Sequence, residues 1–386
     1  MQCKKIDFKL LFNLDNIKII STSNNETIIS SYSLHEKEIK VLIYNYHEKN
    51  SELEKPKVSS IFLNDDLKCY ELISNISEIV IYALVKDSVF KYVYSKSDIK
   101  KHICASGDNV CQNSFYIDAM REFVGINSTS IKISRNGSIF CIISNSNKIQ
   151  IYDFKTFFDN DNNSCSVIES FDKAQMIIKD ISPDASSLIT QSCTSNLCIL
   201  WDIEKNNKTV ELIFSKESQI VDCLFGRIEA VSHIYNIYAI YNSNVSNKYW
   251  ITVWNCSNHS IKNSLCIESR ICNSICVSNE GRYVAVNCFD SKTIDIFISF
   301  NLQKLYSYSN VSCDDSKWLC HFLPLSFSMD QFQHEFDLLS LYTSKNSTSV
   351  FWLYESMKQN YSVIWPISAA VVLIFSLFYV AFQFGL

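Results

Sequence analysis

Three stretches of this 386-residue chain, 133–154, 181–203 and 277–298, repeat one layout. A layout repeated at a fixed spacing restricts the fold more than composition can. Each stretch has a strand ending in serine (Ser134, Ser182, Ser278), a tight turn (Arg-Asn-Gly, Pro-Asp-Ala, Asn-Glu-Gly) and a second strand. A short polar hairpin and a third strand closing on an aromatic residue complete it. The strand reading follows from the period of the apolar residues and from the wealth of Ile, Val, Tyr and Phe, which suit a pleated, half-buried surface.

This is the layout of a WD-type propeller blade, and Trp201-Asp202 reproduces the eponymous dipeptide. Tyr152-Asp153, Trp254-Asn255 and Phe351-Trp352 are weaker copies, and such aromatic ends recur about every 45 to 55 residues. Strand-rich units at 19–46, 61–94, 235–254 and 319–354 extend the register to seven. The expectation is an all-β, seven-bladed β-propeller over residues 1–355; a pair of β-sandwiches would leave the constant spacing unexplained. The chain has only 6 Gly. Asn145, Asn147, Asn287 and Asp290 are expected to take the positive-φ hairpin positions that propellers normally give to glycine. The polar stretches 97–111, 157–164 and 242–248 read as surface loops.

The 16 Cys are dispersed through apolar runs and read as small buried hydrophobes of a reducing compartment. Cys272 and Cys276 have a spacing that suggests a metal pair. No second pair or nearby His completes a tetrahedral site, and the even spacing places both on one strand face, so no metal is expected. The net charge of −5 is mixed in sign and carries no basic block, which excludes nucleic acid as a partner. No phosphate loop, zinc-protease motif or nucleophile elbow occurs. His35, His47, His102 and His259 fall in polar stretches, and His321 reads as a strand residue. Covalent catalysis is not expected, and a propeller that presents loops on a rigid scaffold reads as a protein-binding device.

The C-terminal end differs from the rest. Residues 363–384 contain no charged residue and reach the roughly 20 positions that a bilayer core requires. A single transmembrane helix is expected there, after a short juxtamembrane linker at 356–362. Its anchor residues are Trp365 at the interface, Pro366 in the first turn, and Leu373, Phe378 and Phe384 along the span. The N-terminus is not a signal peptide, because its apolar run is broken by Asn13 and Asp15. With Lys358 just before the helix, the propeller is expected in the cytosol.

A propeller with a C-terminal anchor and no signal peptide resembles the endoplasmic-reticulum guanine-nucleotide exchange factors for Sar-type small GTPases, the family of the prolactin regulatory element-binding protein. The sequence likeness is strongest in the packets at Ser134, Ser182 and Ser278. The resemblance implies exchange activity that starts COPII coat assembly, a Sar-type GTPase as partner and a single-pass location in the endoplasmic-reticulum membrane. In that family a Gly-rich loop of the first blade binds potassium and presses on the GTPase. The corresponding stretch follows Thr27-Ile-Ile and runs from Ser30 to Glu38; it is shorter and contains no glycine. On this likeness Ser31, Tyr32, Ser33, Leu34 and His35 form the GTPase-binding loop, with Tyr32, Leu34 and His35 at the contact tip. Potassium is the one cofactor implied, and the glycine-free stretch lacks the family's loop for it. Two alternatives stay open: a membrane-tethered scaffold without exchange activity, and a receptor whose propeller faces the lumen or the outside.

Overall fold

The computed structural model describes residues 2–6, 17–21, 26–45, 57–74, 77–96, 115–122, 128–134, 137–144, 148–158, 165–169, 176–192, 196–205, 207–226, 236–277, 283–288, 293–308, 318–323, 337–344 and 347–354. All regular structure among them is β. The chain begins with β1 (Gln2–Ile6) and then forms six sheets of four consecutive antiparallel strands. The first is β2 (Ile17–Ser21), β3 (Glu26–Ser33), β4 (Glu38–Asn45) and β5 (Lys57–Phe62). The second is β6 (Leu67–Ser74), β7 (Glu78–Val85), β8 (Ser88–Ser95) and β9 (Tyr116–Glu122). The third is β10 (Ser128–Ile133), β11 (Ile139–Ser144), β12 (Lys148–Asp153) and β13 (Cys165–Glu169). The fourth is β14 (Met176–Ile181), β15 (Ser187–Ser192), β16 (Cys198–Asp202) and β17 (Asn207–Glu211). The fifth is β18 (Ser218–Phe225), β19 (Asn236–Ser243), β20 (Lys248–Asn255) and β21 (Ile261–Glu268). The sixth is β22 (Cys272–Val277), β23 (Tyr283–Cys288), β24 (Thr293–Ile298) and β25 (Lys304–Tyr308).

The seventh sheet joins the two ends of the chain. β26 (Trp318–Leu323), β27 (Asp337–Ser344) and β28 (Ser347–Tyr354) take β1 as their fourth strand, with Gln2 opposite Tyr354. First strands of successive sheets lie against one another, from β2 and β6 through to β22 and β26, and so face the centre of the ring. This is a β-propeller of seven blades, closed by pairing the first strand with the last three.

The repeat seen in sequence has a physical basis. Ser134 Oγ accepts hydrogen bonds from the backbone N–H groups of Ser138 and Ile139, and Ser182 Oγ accepts one from Ser187 N–H, so these two packet serines close their turns. The aromatic ends Tyr152, Trp201 and Trp254 all lie in third strands and are buried. At Trp201, Trp254 and Phe297 the ladder to the outer strand shifts register, so the bulky ring sits at a bulge. A second bulge recurs in the inner strands, at Leu67/Cys69, Ser128/Ser130, Ile178/Asp180, Ile220/Asp222 and Cys272/Ser274.

Several expectations change. The unit drawn as 61–94 crosses a boundary, because Ile61 belongs to the outer strand of the first blade. The bulge in β22 breaks the alternation between Cys272 and Cys276, so the even spacing does not place them on one face. Phe157 in the 157–164 stretch is buried, and Asn242 lies within β19 rather than opening a loop. Asn287 lies buried within β23 instead of in a hairpin. Among the described residues positive φ falls on Gly137, Lys37, Lys86, Ala185, His259, Ser269 and Leu302, and on no Asn or Asp. Asn145, Asn147 and Asp290 lie outside the described residues, as do the 97–111 stretch, the linker at 356–362 and the anchor positions Trp365, Pro366, Leu373, Phe378 and Phe384. Among the described residues no helix is long and apolar enough to cross a membrane.

Candidate functional site

Antiparallel order gives the ring two unlike faces. The turn between second and third strands and the connector from each outer strand to the next blade share one face, here the upper face. Turns between first and second and between third and fourth strands share the lower. Backbone hydrogen bonds tie upper elements to each other: Leu63 N–H to Lys37 O (2.8 Å), Asn244 N–H to Glu217 O (2.9 Å) and Arg270 N–H to Asn247 O (3.0 Å). Phe154 N–H to Ser138 O and Ile203 N–H to Ser186 O (both 2.9 Å) do the same below.

The stretch expected to bind a GTPase is a hairpin on the upper face. Its turn is only Leu34–Lys37; Ser31, Tyr32 and Ser33 are already in β3, and Glu38 opens β4. Tyr32 is 2% exposed, and its hydroxyl accepts a hydrogen bond from Leu67 N–H in the second blade (3.3 Å). It therefore packs between blades and is unavailable as part of a contact tip. The side chain of Ser31 lies outside the described set, and Ser33 is half-buried, its Oγ accepting from Glu36 N–H. Leu34, 61% exposed, and His35 do reach solvent.

Charges brace this hairpin. Lys40 Nζ lies 3.0 Å from Glu36 and 3.3 Å from the buried Glu38. The hydrogen bond from Lys40 holds the Glu36 carboxyl below the usual range, and the same bond raises Lys40. Lys37–Asp66 (3.1 Å), Lys86–Asp65 (2.9 Å) and Lys68–Asp87 (3.2 Å) extend the pairs to the second blade. Being exposed, each contributes about 1 kcal/mol at most. A potassium ion needs a ring of free carbonyls. A four-residue turn that carries a lysine ammonium, and whose Lys37 carbonyl is engaged by Leu63, does not fit one.

Apolar residues that sequence reasoning passed over share this face. Ile213 and Ile271 lie in the connectors on either side of the fifth blade, and Val245, 79% exposed, tips the turn between them. Phe62, at the end of β5, leads into the connector beside Lys37. Below, the one large exposed apolar side chain in a turn is Phe300, among the described residues. A single apolar residue framed by turn formers, as in Asn244-Val245-Ser246, was the available signal.

The interior offers structure rather than chemistry. Asp180 and Asp222 accept from the backbone N–H groups of Phe225 and Ile275 in the next blade (3.0 and 3.2 Å), and Lys179 pairs with Asp222 at 2.6 Å. Asn196 and Asn242 each bond a carbonyl and an N–H of the next inner strand. The buried Asp295 is met by Arg270 (2.6 Å), Lys304 (2.9 Å), Ser307 (2.6 Å) and Tyr249 (3.1 Å). Burial pushes the Cys141 thiol up to about 12 and Cys288 to about 11, which makes them poor nucleophiles. Among the described residues no three His, Cys, Asp or Glu side chains gather as a metal site.

The sequence matches no protein-family profile and no curated protein. Among solved structures, the crystal structure of Raptor from Chaetomium thermophilum is similar, with a TM-score of 0.55 and 9% identity over 91% of this chain. The match covers 29% of Raptor, so the chain spans under a third of that protein's length. At that identity the likeness bears on the fold alone.

Proposed function

We propose that this chain is a non-catalytic binding platform, a WD-type propeller held to a membrane by residues 363–384, whose upper face docks another protein. The observation that carries this reading is the set of exposed apolar residues in the described turns and connectors of the upper face: Leu34, Ile213, Val245 and Ile271. Exposed apolar groups within a polar surround, as Ile213, Val245 and Ile271 are about the fifth blade and Leu34 is on the first, mark places where a partner removes them from water. β28 runs toward the lower face, so a tether beginning after Tyr354 leaves the upper face turned away from the bilayer.

Within that reading, the partner is a Sar-type small GTPase at the cytosolic side of the endoplasmic-reticulum membrane, and the activity is guanine-nucleotide exchange that starts COPII assembly. This rests on the resemblance in domain plan and blade packets. Exchange needs no acid, base or metal. A face that binds the nucleotide-free GTPase more tightly than the loaded form favours release by the difference in binding free energy. Leu34 and His35 take the contact role, Tyr32 supports the hairpin from within, and no step uses potassium.

The test is release of a fluorescent guanine nucleotide from the Sar-type GTPase, with the full chain in mild detergent. Accelerated release that falls about tenfold in Leu34→Ser/Val245→Ser agrees with the proposal, since a buried anchor carries on the order of 1–2 kcal/mol. Release at the intrinsic rate with intact protein in excess replaces exchange with the tethered scaffold.

A further inference from the structure

The junction between the fourth and fifth blades holds two thiols in contact. Cys198, at the start of β16, and Cys223, in β18, are 0% and 1% exposed, and their sulfurs lie 3.2 Å apart. That is closer than two unbonded sulfurs ordinarily approach. Leu200, Leu212, Ile220, Phe225 and Tyr241 pack around the pair. Asn196, two residues before Cys198, fixes the strands against each other by accepting from Ile220 N–H (2.6 Å) and donating to Ser218 O (2.7 Å). The spacing is shorter than the roughly 3.8 Å that separates two thiolates on a tetrahedral zinc. It needs about 1 Å of side-chain movement to reach the roughly 2 Å of a disulfide.

We propose that Cys198 and Cys223 are an oxidative modification site, which hydrogen peroxide converts into a disulfide stapling the fourth blade to the fifth. One thiol, as thiolate, attacks a peroxide oxygen; the O–O bond breaks, and sulfenic acid and hydroxide form. The second thiol then attacks that sulfur and expels its hydroxyl as water. In sum two thiols and one peroxide give one disulfide and two waters. The sulfurs lose two electrons and the peroxide gains them. Peroxide suits a packed seam because it is small, whereas a glutathione-sized disulfide would have to part the blades. The neighbouring Cys198 thiol and burial push the Cys223 thiol well upward, so the reaction is slow at neutral pH.

A control is built into the next blade. Cys272 and Cys288 stand opposite each other in the β22–β23 ladder, yet Cys272 Sγ lies 3.0 Å from Asn242 Oδ1 and Cys288 Sγ 4.0 Å from Asp295. These sulfurs turn to different partners, and this pair stays reduced.

The experiment treats the full chain in detergent with hydrogen peroxide, alkylates free thiols under denaturing conditions and maps the peptides by mass spectrometry without reductant. The expected result is a linked peptide pair containing Cys198 and Cys223, about 2 Da lighter than the two reduced peptides together, abolished by dithiothreitol. Cys272 and Cys288 should be alkylated. The oxidised protein should melt several degrees higher than the reduced protein, and Cys198→Ser should not respond. Alkylation of both Cys198 and Cys223, a link from either to another cysteine, or stepwise sulfinic acid at one of them overturns the proposal. The peptide map of the unmodified chain decides this even if the serine variant does not fold.

Discussion

Among the described residues, two unlike kinds of junction join neighbouring blades. Between the first and second blades the seam is apolar and pegged by tyrosine: Tyr32 accepts from Leu67 N–H, and the Tyr70 hydroxyl meets Ser30 Oγ at 3.1 Å, among Ile28, Ile39, Ile61 and Leu72. Between the fourth, fifth and sixth blades the same task falls to amides and carboxylates. Asn196 and Asn242 make two-way clamps, Asp180 and Asp222 cap N–H groups, and Lys179 and Arg270 supply charge. The difference shows that the propeller fixes where strands must meet but leaves the chemistry of the meeting free. The tyrosine seam depends on packed volume, whereas the clamped junctions depend on polar groups each finding a partner, and the two should fail differently.

The largest effect belongs to the apolar seam. Tyr32→Ala removes a buried ring and leaves Leu67 N–H without its acceptor, and should destabilise the fold by about 3–5 kcal/mol in denaturant unfolding. Tyr32→Phe keeps the volume and should cost only about 1 kcal/mol. If Tyr32→Ala leaves stability untouched while partner binding disappears, the side chain is a contact after all and the contrast between junctions fails.

In the clamped region Asp222→Ala breaks the pair with Lys179 and strips Ile275 N–H of its acceptor, and should cost about 2–3 kcal/mol. Asp222→Asn retains an acceptor and should recover part of that loss. Equal losses for the two variants would mean that charge, not backbone capping, holds this junction.

The clamped side should also be the acid-sensitive one. Burial alone would raise the Asp295 carboxyl, but hydrogen bonds from Ser307, Lys304 and Arg270 outweigh it and leave the group below its ordinary value. A carboxyl lowered in the folded state stabilises the fold above its ordinary value, near pH 4, and the contribution is lost as pH falls through the folded value. The melting temperature of the wild type should therefore drop steeply below about pH 4. Asp295→Asn should start lower and fall less, and parallel curves would assign the acid response to other groups.

How far the sequence could be read depends on whether a position demands a residue type locally. The packets at Ser134 and Ser182, in the third and fourth blades, and the Trp201-Asp202 dipeptide were legible because a turn-closing serine and a third-strand aromatic each require a particular residue type at a particular step. The clamping role of Asn242 was hidden, since one polar residue among the Asn and Ser of 242–248 looks like a loop until the strand of the next blade is placed beside it. In the first blade Tyr32 looked like a contact because the hairpin was read too long: alternation does not say where β3 stops, and the second blade that buries it is distant in sequence. Leu34 and His35, placed at the tip by the resemblance alone, do reach solvent. Ile213 and Ile271 were not legible, because only the closed ring brings two connectors to the sides of one turn.

The smallest expected effect on stability is the one that matters most to the functional reading. Leu34 and Val245 lie on the same face but belong to different kinds of blade, one beside the tyrosine seam and the other between clamps. Both are exposed at turn tips, so neither Leu34→Ser nor Val245→Ser removes packed volume, and each should change unfolding free energy by less than about 0.5 kcal/mol. If one partner covers the whole upper face, both substitutions should weaken it, and the double variant should lose about as much as the two single losses added, since the residues are remote from each other in the ring. If the partner sits on the first blade alone, as the resemblance implies for a GTPase, Leu34→Ser should reduce its affinity and Val245→Ser should leave it unchanged. The fifth-blade apolar group would then serve a second protein. Titrating the GTPase against the two single variants separates these outcomes, with the unfolding curves confirming that any loss arises at the surface.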